Sequence, residues 1–193
     1  MPAKPGERRL QILQTLASML EHPRGEKVTT AALAAKLDVS EAALYRHFAS
    51  KAQMFEGLIE FIEQSVFTLI NQITAAGAGD GAQQVARIMA MLLQFGEKNP
   101  GMVRVMVGDA LVFEHERLTA RMNQFFDRVE SQLRQCLRPA AEAAGSATPT
   151  VEANAMASAL TALIVGRLQR YARSGFRRLP TEAVDGPLQR LGA

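Results

Sequence analysis

Four side chains close together in the sequence could bind an anionic polymer: Tyr45, Arg46, His47 and Lys51. A guanidinium donates in pairs to a guanine edge or to a phosphate, and a phenol hydroxyl reaches either. His47 and Lys51 stand beside the start of the next helical segment, where free amides favour backbone phosphates. Just before them, Ala42 and Ala43 are small enough to let a helix settle into the major groove, behind Ser40 and Glu41 at its start. Thr29 and Thr30 open the preceding segment, where a hydroxyl can cap free amides. These ten residues are the candidate contacts to such a polymer, double-stranded DNA being the one a helix in a major groove would fit.

No comparable set supports catalysis, a metal or a cofactor. The three histidines (His22, His47 and His115) are scattered, with no H-E-x-x-H pattern and none near Cys136 in sequence. The Gly-rich stretch 77–81 follows a helix and has Ala82 where a dinucleotide fingerprint needs its third glycine. Cys136 lies on an apolar helix face and reads as a small core residue. Glu130 and Arg134 have the spacing of a solvated helix pair. The expectation is a binding protein and not an enzyme.

The elements that must position the basic residues are helical throughout, since no stretch sustains period-2 alternation. The first helix spans about Glu7 to Glu21, with Leu10, Leu13, Ala17 and Leu20 on one face, and ends at His22-Pro23-Arg24-Gly25. A second starts at Thr29 or Thr30. A third, Glu41 to Phe48, is capped by Ser40 across the break Asp38-Val39-Ser40. Two short helices joined by so short a turn have the dimensions of a helix-turn-helix, or of an ordinary helical hairpin with a basic face. With Leu44 and Phe48 placed inward, Ala42 and Arg46 fall opposite and Tyr45 on the flank.

Ser50-Lys51-Ala52-Gln53 has capping-box spacing and opens a long fourth helix with Phe55, Leu58, Ile59, Ile62, Val66, Leu69, Ile70 and Ile73 inward. Asp80 can cap a fifth helix reaching Glu97, and Asn99-Pro100 reads as the cap and first turn of a sixth. A seventh covers about Glu114 to Arg138. Residues 138–149 read as a linker, an eighth helix covers about Thr150 to Arg173, and a short one falls near 181–191.

The chain has 193 residues, 48% of them apolar, enough for a sizeable core. Its net charge is +3, and residues 1–52 carry all of it with eight basic and five acidic groups. A basic first quarter on a neutral body suggests an anion-binding head. One cysteine excludes an intramolecular disulfide and favours a reducing compartment. No secretory signal is visible. The weakly polar run 153–166 is shorter than the roughly 20 residues that cross a bilayer, so no membrane association is expected.

The run Thr29-Thr30-Ala31-Ala32-Leu33-Ala34, then Val39 through Phe48, then Ser50-Lys51 and Met54-Phe55, strongly resembles the DNA-binding head of the TetR family. The resemblance covers residues 6–66 and implies an all-α fold: a helix-turn-helix head there, with its motif at 29–48, and a dimerisation and regulatory body over 67–193. Asp38 departs from the glycine usual in that family's turn, but Asp tolerates a left-handed backbone better than most residues.

Leu58-Ile59-Glu60-Phe61-Ile62-Glu63, Phe95 through Gly101, and Phe113-Glu114 through Gln135 resemble more narrowly the TetR-fold nucleoid occlusion factors. That likeness implies a cytoplasmic, nucleoid-associated homodimer on dispersed chromosomal sites. It also implies binding the tubulin-like division protein FtsZ and preventing Z-ring assembly over the nucleoid. The wider family leaves an alternative, a transcriptional repressor that responds to a small effector.

Phe61 and Phe67 fall off the predicted buried stripe of the fourth helix. With Lys98 and Asn99 they form the candidate FtsZ surface, unless they pack on the first or seventh helix. Ala155, Ala159, Ala162 and Gly166 make a small-residue stripe that permits close helix approach. With Leu118, Met122, Phe125 and Val129 of the seventh helix they form the candidate dimer interface, a four-helix arrangement across a two-fold axis. The alternative is tight packing inside one subunit. Two heads about 34–36 Å apart would read a palindrome, which a single head cannot.

Overall fold

The computed structural model describes residues 5–22, 28–76 and 81–183, and among these the regular structure is entirely helical. α1 (Pro5–Leu20), α2 (Thr30–Lys36) and α3 (Glu41–Tyr45) form the head. α4 (Lys51–Ala75) carries it into a body of α5 (Gly81–Lys98), α6 (Pro100–Met106), a 3-10 turn at Asp109–Leu111, α7 (Glu116–Ala143) and α8 (Pro149–Arg173). The proposed boundary at residue 66 falls inside α4, which runs through it without a break.

Caps fix the head. Thr29 Oγ1 accepts from the Ala32 amide at 3.1 Å, and Ser40 Oγ from the Ala43 amide at 3.3 Å. The turn between α2 and α3 runs through Asp38 at φ 53°, the left-handed backbone that glycine would otherwise supply. At the start of α4, Ser50 Oγ accepts from the Gln53 amide at 3.2 Å, while Gln53 Oε1 reaches past Ser50 to the Ala49 amide at 2.9 Å. The capping box is thus displaced by one residue.

One continuous core joins head and body. Ile12, Leu16, Leu33, Leu44, Phe48 and Phe55 are buried in the head; Ile70, Ile88, Leu92, Phe125, Leu133 and Ile164 continue it through the body. α6 crosses α1 so closely that a Cβ on Gly101 would stand 2.0 Å from the Ala17 carbonyl oxygen. Arg104 donates at 3.4 Å to the carbonyls of both Leu20 and His22, securing the end of α1.

Several sequence expectations are corrected. Leu10 is exposed, because α1 turns Ile12, Leu13 and Leu16 inward. α3 ends at Tyr45, and Arg46 and His47 lie in the turn that follows. Leu69 points outward and Phe67 inward, reversing the two on α4. The Phe67 ring meets Phe125 edge-on at 5.5 Å and lies under the Arg128 guanidinium at 3.9 Å.

Asn99 does not cap α6 with its side chain: its amide donates back to the Phe95 carbonyl at 2.7 Å. α7 continues through Pro139 to Ala143, since packing against α8 outweighs one lost helical bond, and it ends on Gly145 at φ 77°. The linker shrinks accordingly. Arg134 donates to Ser131 at 3.1 Å and not to Glu130.

Cys136 is buried, and that burial pushes its thiol pKa up, as for an inert core cysteine. By length and composition α8 meets the minimum for a bilayer span, contrary to the sequence estimate, but it packs on α5, α6 and α7 as a bundle helix. The Asp80 cap and residues 184–191 of the final predicted helix lie outside the described residues; 181–183 form a turn.

Candidate nucleic-acid interface

α3 seats Leu44 in the core and the turn after it seats Phe48, each 1% exposed, which turns the opposite side to solvent. Glu41, Ala42, Tyr45 and Arg46 are exposed there and Ala43 and His47 half-buried, so the small residues, the phenol and the guanidinium share one accessible side. Gly57 permits this seating: a Cβ there would come within 3.2 Å of both Leu13 and Phe48. The face is therefore a consequence of how α1, α3 and α4 close on one another.

Not every candidate contact is free. Thr30 Oγ1 donates to a Glu41 carboxylate oxygen at 2.6 Å, so these two lock α2 to α3. Thr29 and Ser40 spend their hydroxyls on caps. Lys51 is ion-paired with Glu114 from the loop before α7 and lies 5.6 Å from the centre of the Phe55 ring. Its charge is largely neutralised, which corrects its reading as an open phosphate contact. Among the described residues the Tyr45, Arg46 and His47 side chains have no hydrogen bond or ion pair, and they remain available.

Arg9 escapes sequence reasoning. It leaves α1 to stack over the Phe48 ring at 4.3 Å and donates to the His47 carbonyl at 3.4 Å. That places a second exposed guanidinium beside the turn that carries His47. The only signal in the chain was the basic pair Arg8-Arg9, which has no periodic partner on α3.

On the body, Phe61 is 39% and Leu69 38% exposed, and both lie on the outer side of α4. Lys98 is exposed at the end of α5; Asn99 is half-buried with its amide bound. On α8, Ala155, Ala159 and Ala162 are exposed beside Val151, Met156 and Leu163. Gly166 has open space around its missing Cβ. Leu118, Met122, Phe125 and Val129, assigned from sequence to the dimer interface, are at most 2% exposed within this one chain. They belong to its own core, because the wide apolar stripe of α7 is covered by α8, α5 and α4 of the same chain.

Among the described residues no group of three or more His, Cys, Asp or Glu side chains could hold a metal ion. Three clefts on the body, of about 490–540 Å³, are open to solvent, and side chains of zero exposure such as Ile88, Leu92, Val129 and Ile164 pack its interior.

A capped helix pair held at the tip of a long connecting helix, above an all-helical body, defines a helix-turn-helix regulator. Residues 25–58 match the bacterial regulatory proteins of the tetR family, and residues 80–191 match the tetracyclin repressor-like C-terminal domain of SlmA-like type. The nucleoid occlusion factor SlmA of Photobacterium profundum is 49% identical over 191 residues, 98% of this chain and 96% of its own length. That of Marinomonas sp. is 50% identical over 182 residues, 94% and 91% of the two chains. The chain belongs to the TetR family, in its group of SlmA nucleoid occlusion factors. In fold it is similar to the transcriptional regulator FadR of Bacillus subtilis, with a TM-score of 0.74 over 95% of this chain and 97% of that one at 10% identity.

Proposed function

We propose that this protein is a homodimeric nucleoid occlusion factor that binds palindromic sites in double-stranded DNA and there binds FtsZ and blocks Z-ring assembly. The placement is cytoplasmic and nucleoid-associated. In this reading Ala42, Ala43, Tyr45 and Arg46 meet the major groove, with His47 and Arg9 on the flanking phosphates. Thr29, Thr30, Ser40 and Glu41 act by shaping that face. The protein works by holding surfaces together, with no catalytic step.

The observation that carries the FtsZ part is the contrast between a filled body interior and an exposed apolar pair on α4, Phe61 and Leu69. An effector-responsive repressor needs an enclosed pocket with polar groups converging inside it. A partner surface needs exposed anchors ringed by polar groups, and Gln64, Thr68 and Lys98 supply such a rim. Counted from the α4–α5 connection at 1.5 Å per residue, Phe61 and Lys98 stand roughly 20–26 Å along their helices, near one level of the hairpin. The exposed face of α8 supports self-association by Ala155, Ala159, Ala162 and Gly166.

The test is sedimentation of GTP-assembled FtsZ with the full-length protein, with and without its DNA site. Loss of polymer, greater with DNA, is expected. Unchanged polymer in both conditions would leave the effector-responsive repressor as the better reading.

A further inference from the structure

At the C-terminal end of α8, far in sequence from the DNA head, four arginines gather in one open cleft of about 540 Å³. They are Arg167 and Arg170 on the helix and Arg177 and Arg178 on the segment that folds back from it. Leu179 and Pro180 complete the wall. Among the described residues none of the four guanidiniums is ion-paired with a carboxylate. Glu182 also lines the cleft, yet only its backbone carbonyl takes part, accepting from Arg167 at 2.6 Å.

The cleft is built. α8 closes on a Schellman turn in which the Gly175 amide donates to Ala172 at 3.1 Å and the Phe176 amide to Tyr171 at 3.0 Å. Gly175 and Phe176 both lie at φ 63°, a left-handed region that a phenylalanine rarely enters. The Phe176 ring holds that backbone by meeting Tyr171 edge-on at 5.2 Å, and Tyr171 is itself tied through its hydroxyl to the Glu97 carbonyl at 3.2 Å. Thr181 is hydrogen-bonded to the Glu97 carboxylate, and Arg167 grips the carbonyls of Pro180 and Glu182. Strained backbone and mutual repulsion of four cations are thus both held in place by packing, and such strain marks ligand clamps.

We propose that this cleft binds a compact polyphosphate, either free or as the phosphate end of a nucleotide. Guanidinium forks match phosphate oxygens in pairs, and the cleft falls in the size range of small-molecule sites. Charge density separates this ligand from an acidic peptide. Carboxylates on one side of an extended chain are about 6.6 Å apart, so a peptide brings roughly two charges into this space. A triphosphate brings three or more. Arg167, held on the Pro180 and Glu182 carbonyls, and Arg177, whose Nε donates to the Ser174 carbonyl at 3.0 Å, are the positioned cations, and Arg170 and Arg178 are the binding forks.

The experiment is calorimetric titration of the full-length protein with inorganic tripolyphosphate at physiological ionic strength, then with ATP and inorganic phosphate. One site per protomer is expected, filled by tripolyphosphate and by ATP with comparable affinity, and at least tenfold more weakly by phosphate. Arg170→Glu with Arg178→Glu should lower tripolyphosphate affinity at least tenfold and leave duplex DNA binding and the helical circular dichroism signal unchanged. Equal affinity in the double variant would place the polyphosphate elsewhere on the protein and overturn the proposal. Tighter binding by a poly-glutamate peptide than by tripolyphosphate would assign the cleft to an acidic protein segment instead.

Discussion

Arg121 on α7 holds the Glu63 carboxylate on α4 with two bonds, Nε at 3.1 Å and a terminal nitrogen at 2.6 Å. The hydrogen bond to Glu63 also raises the Arg121 pKa, so the guanidinium stays charged at any working pH. Arg117 and Glu56, 2.8 Å apart, repeat the link one turn nearer the head. α4 carries the head and α7 anchors the body, so these pairs set the angle at which the helix-turn-helix is presented.

Removing that grip should cost stability without unfolding the protein. Glu63→Gln and Arg121→Ala are each expected to cost about 1 kcal/mol, since the pair is two-pronged but partly solvated. The double variant should cost little more than either alone, because both remove one interaction. Urea denaturation of the four proteins measures this, and strict additivity would mean that the two side chains act independently.

Arg46→Ala is expected to weaken binding to the specific DNA site by ~1–3 kcal/mol if its guanidinium reads a base edge. Binding to unrelated duplex should then change little. If Arg46 meets only phosphate, the loss should be uniform across sequences and the salt dependence shallower. Fluorescence anisotropy over a salt series on both duplexes separates these outcomes, and unchanged specific binding removes Arg46 from the interface.

Capping and periodicity made the head legible in the sequence. Thr29, Ser40 and Ser50 announce their helices by residue type alone, and Leu44 with Phe48 fixes which side of α3 is free. Long-range partners were not legible: Lys51 is taken by Glu114, 63 positions away, and no local pattern signals that pairing. Phe67 and Leu69 were exchanged for a related reason. The apolar stripe of α4 is wide, and which edge is covered depends on where α7 lays Phe125 and Arg128. The α7 stripe misled in the same way, since an apolar helix face does not say whether its own subunit or a partner buries it.

Asp38 occupies the left-handed turn at φ 53°. Glycine adopts that conformation without the Cβ clash, and Asp only partly offsets the clash. Asp38→Gly is therefore expected to raise stability by about 0.5–1 kcal/mol, and Asp38→Val to lower it by more. Thermal melts of the two variants test this, and a Val variant as stable as the parent would show that the turn relaxes to another backbone.

Phe61→Ala and Phe67→Ala should part company. Phe61 is 39% exposed, so its loss should spare folding and DNA affinity but weaken FtsZ co-sedimentation several-fold, as should Leu69→Ala and Lys98→Glu. Phe67 is 9% exposed and packed between Phe125 and Arg128, so Phe67→Ala should cost about 3–5 kcal/mol of stability. Full FtsZ binding by the Phe61, Leu69 and Lys98 variants would discard the α4–α5 surface.

The two halves of the dimer assignment also predict different failures. Ala159 is exposed on α8, with Met156 and Leu163 exposed nearby, while Phe125 on α7 is wholly buried in its own subunit. A self-complementary interface uses each residue twice, so Ala159→Glu would bury two carboxylates in it. Sedimentation equilibrium should then find a folded monomer with an unchanged helical circular dichroism signal. Its affinity for a palindromic site should fall steeply, because each monomer reaches only one half-site. Phe125→Ala should instead lower the unfolding free energy by about 3–5 kcal/mol. If Ala159→Glu sediments as the parent does, the self-contact lies elsewhere than the exposed face of α8.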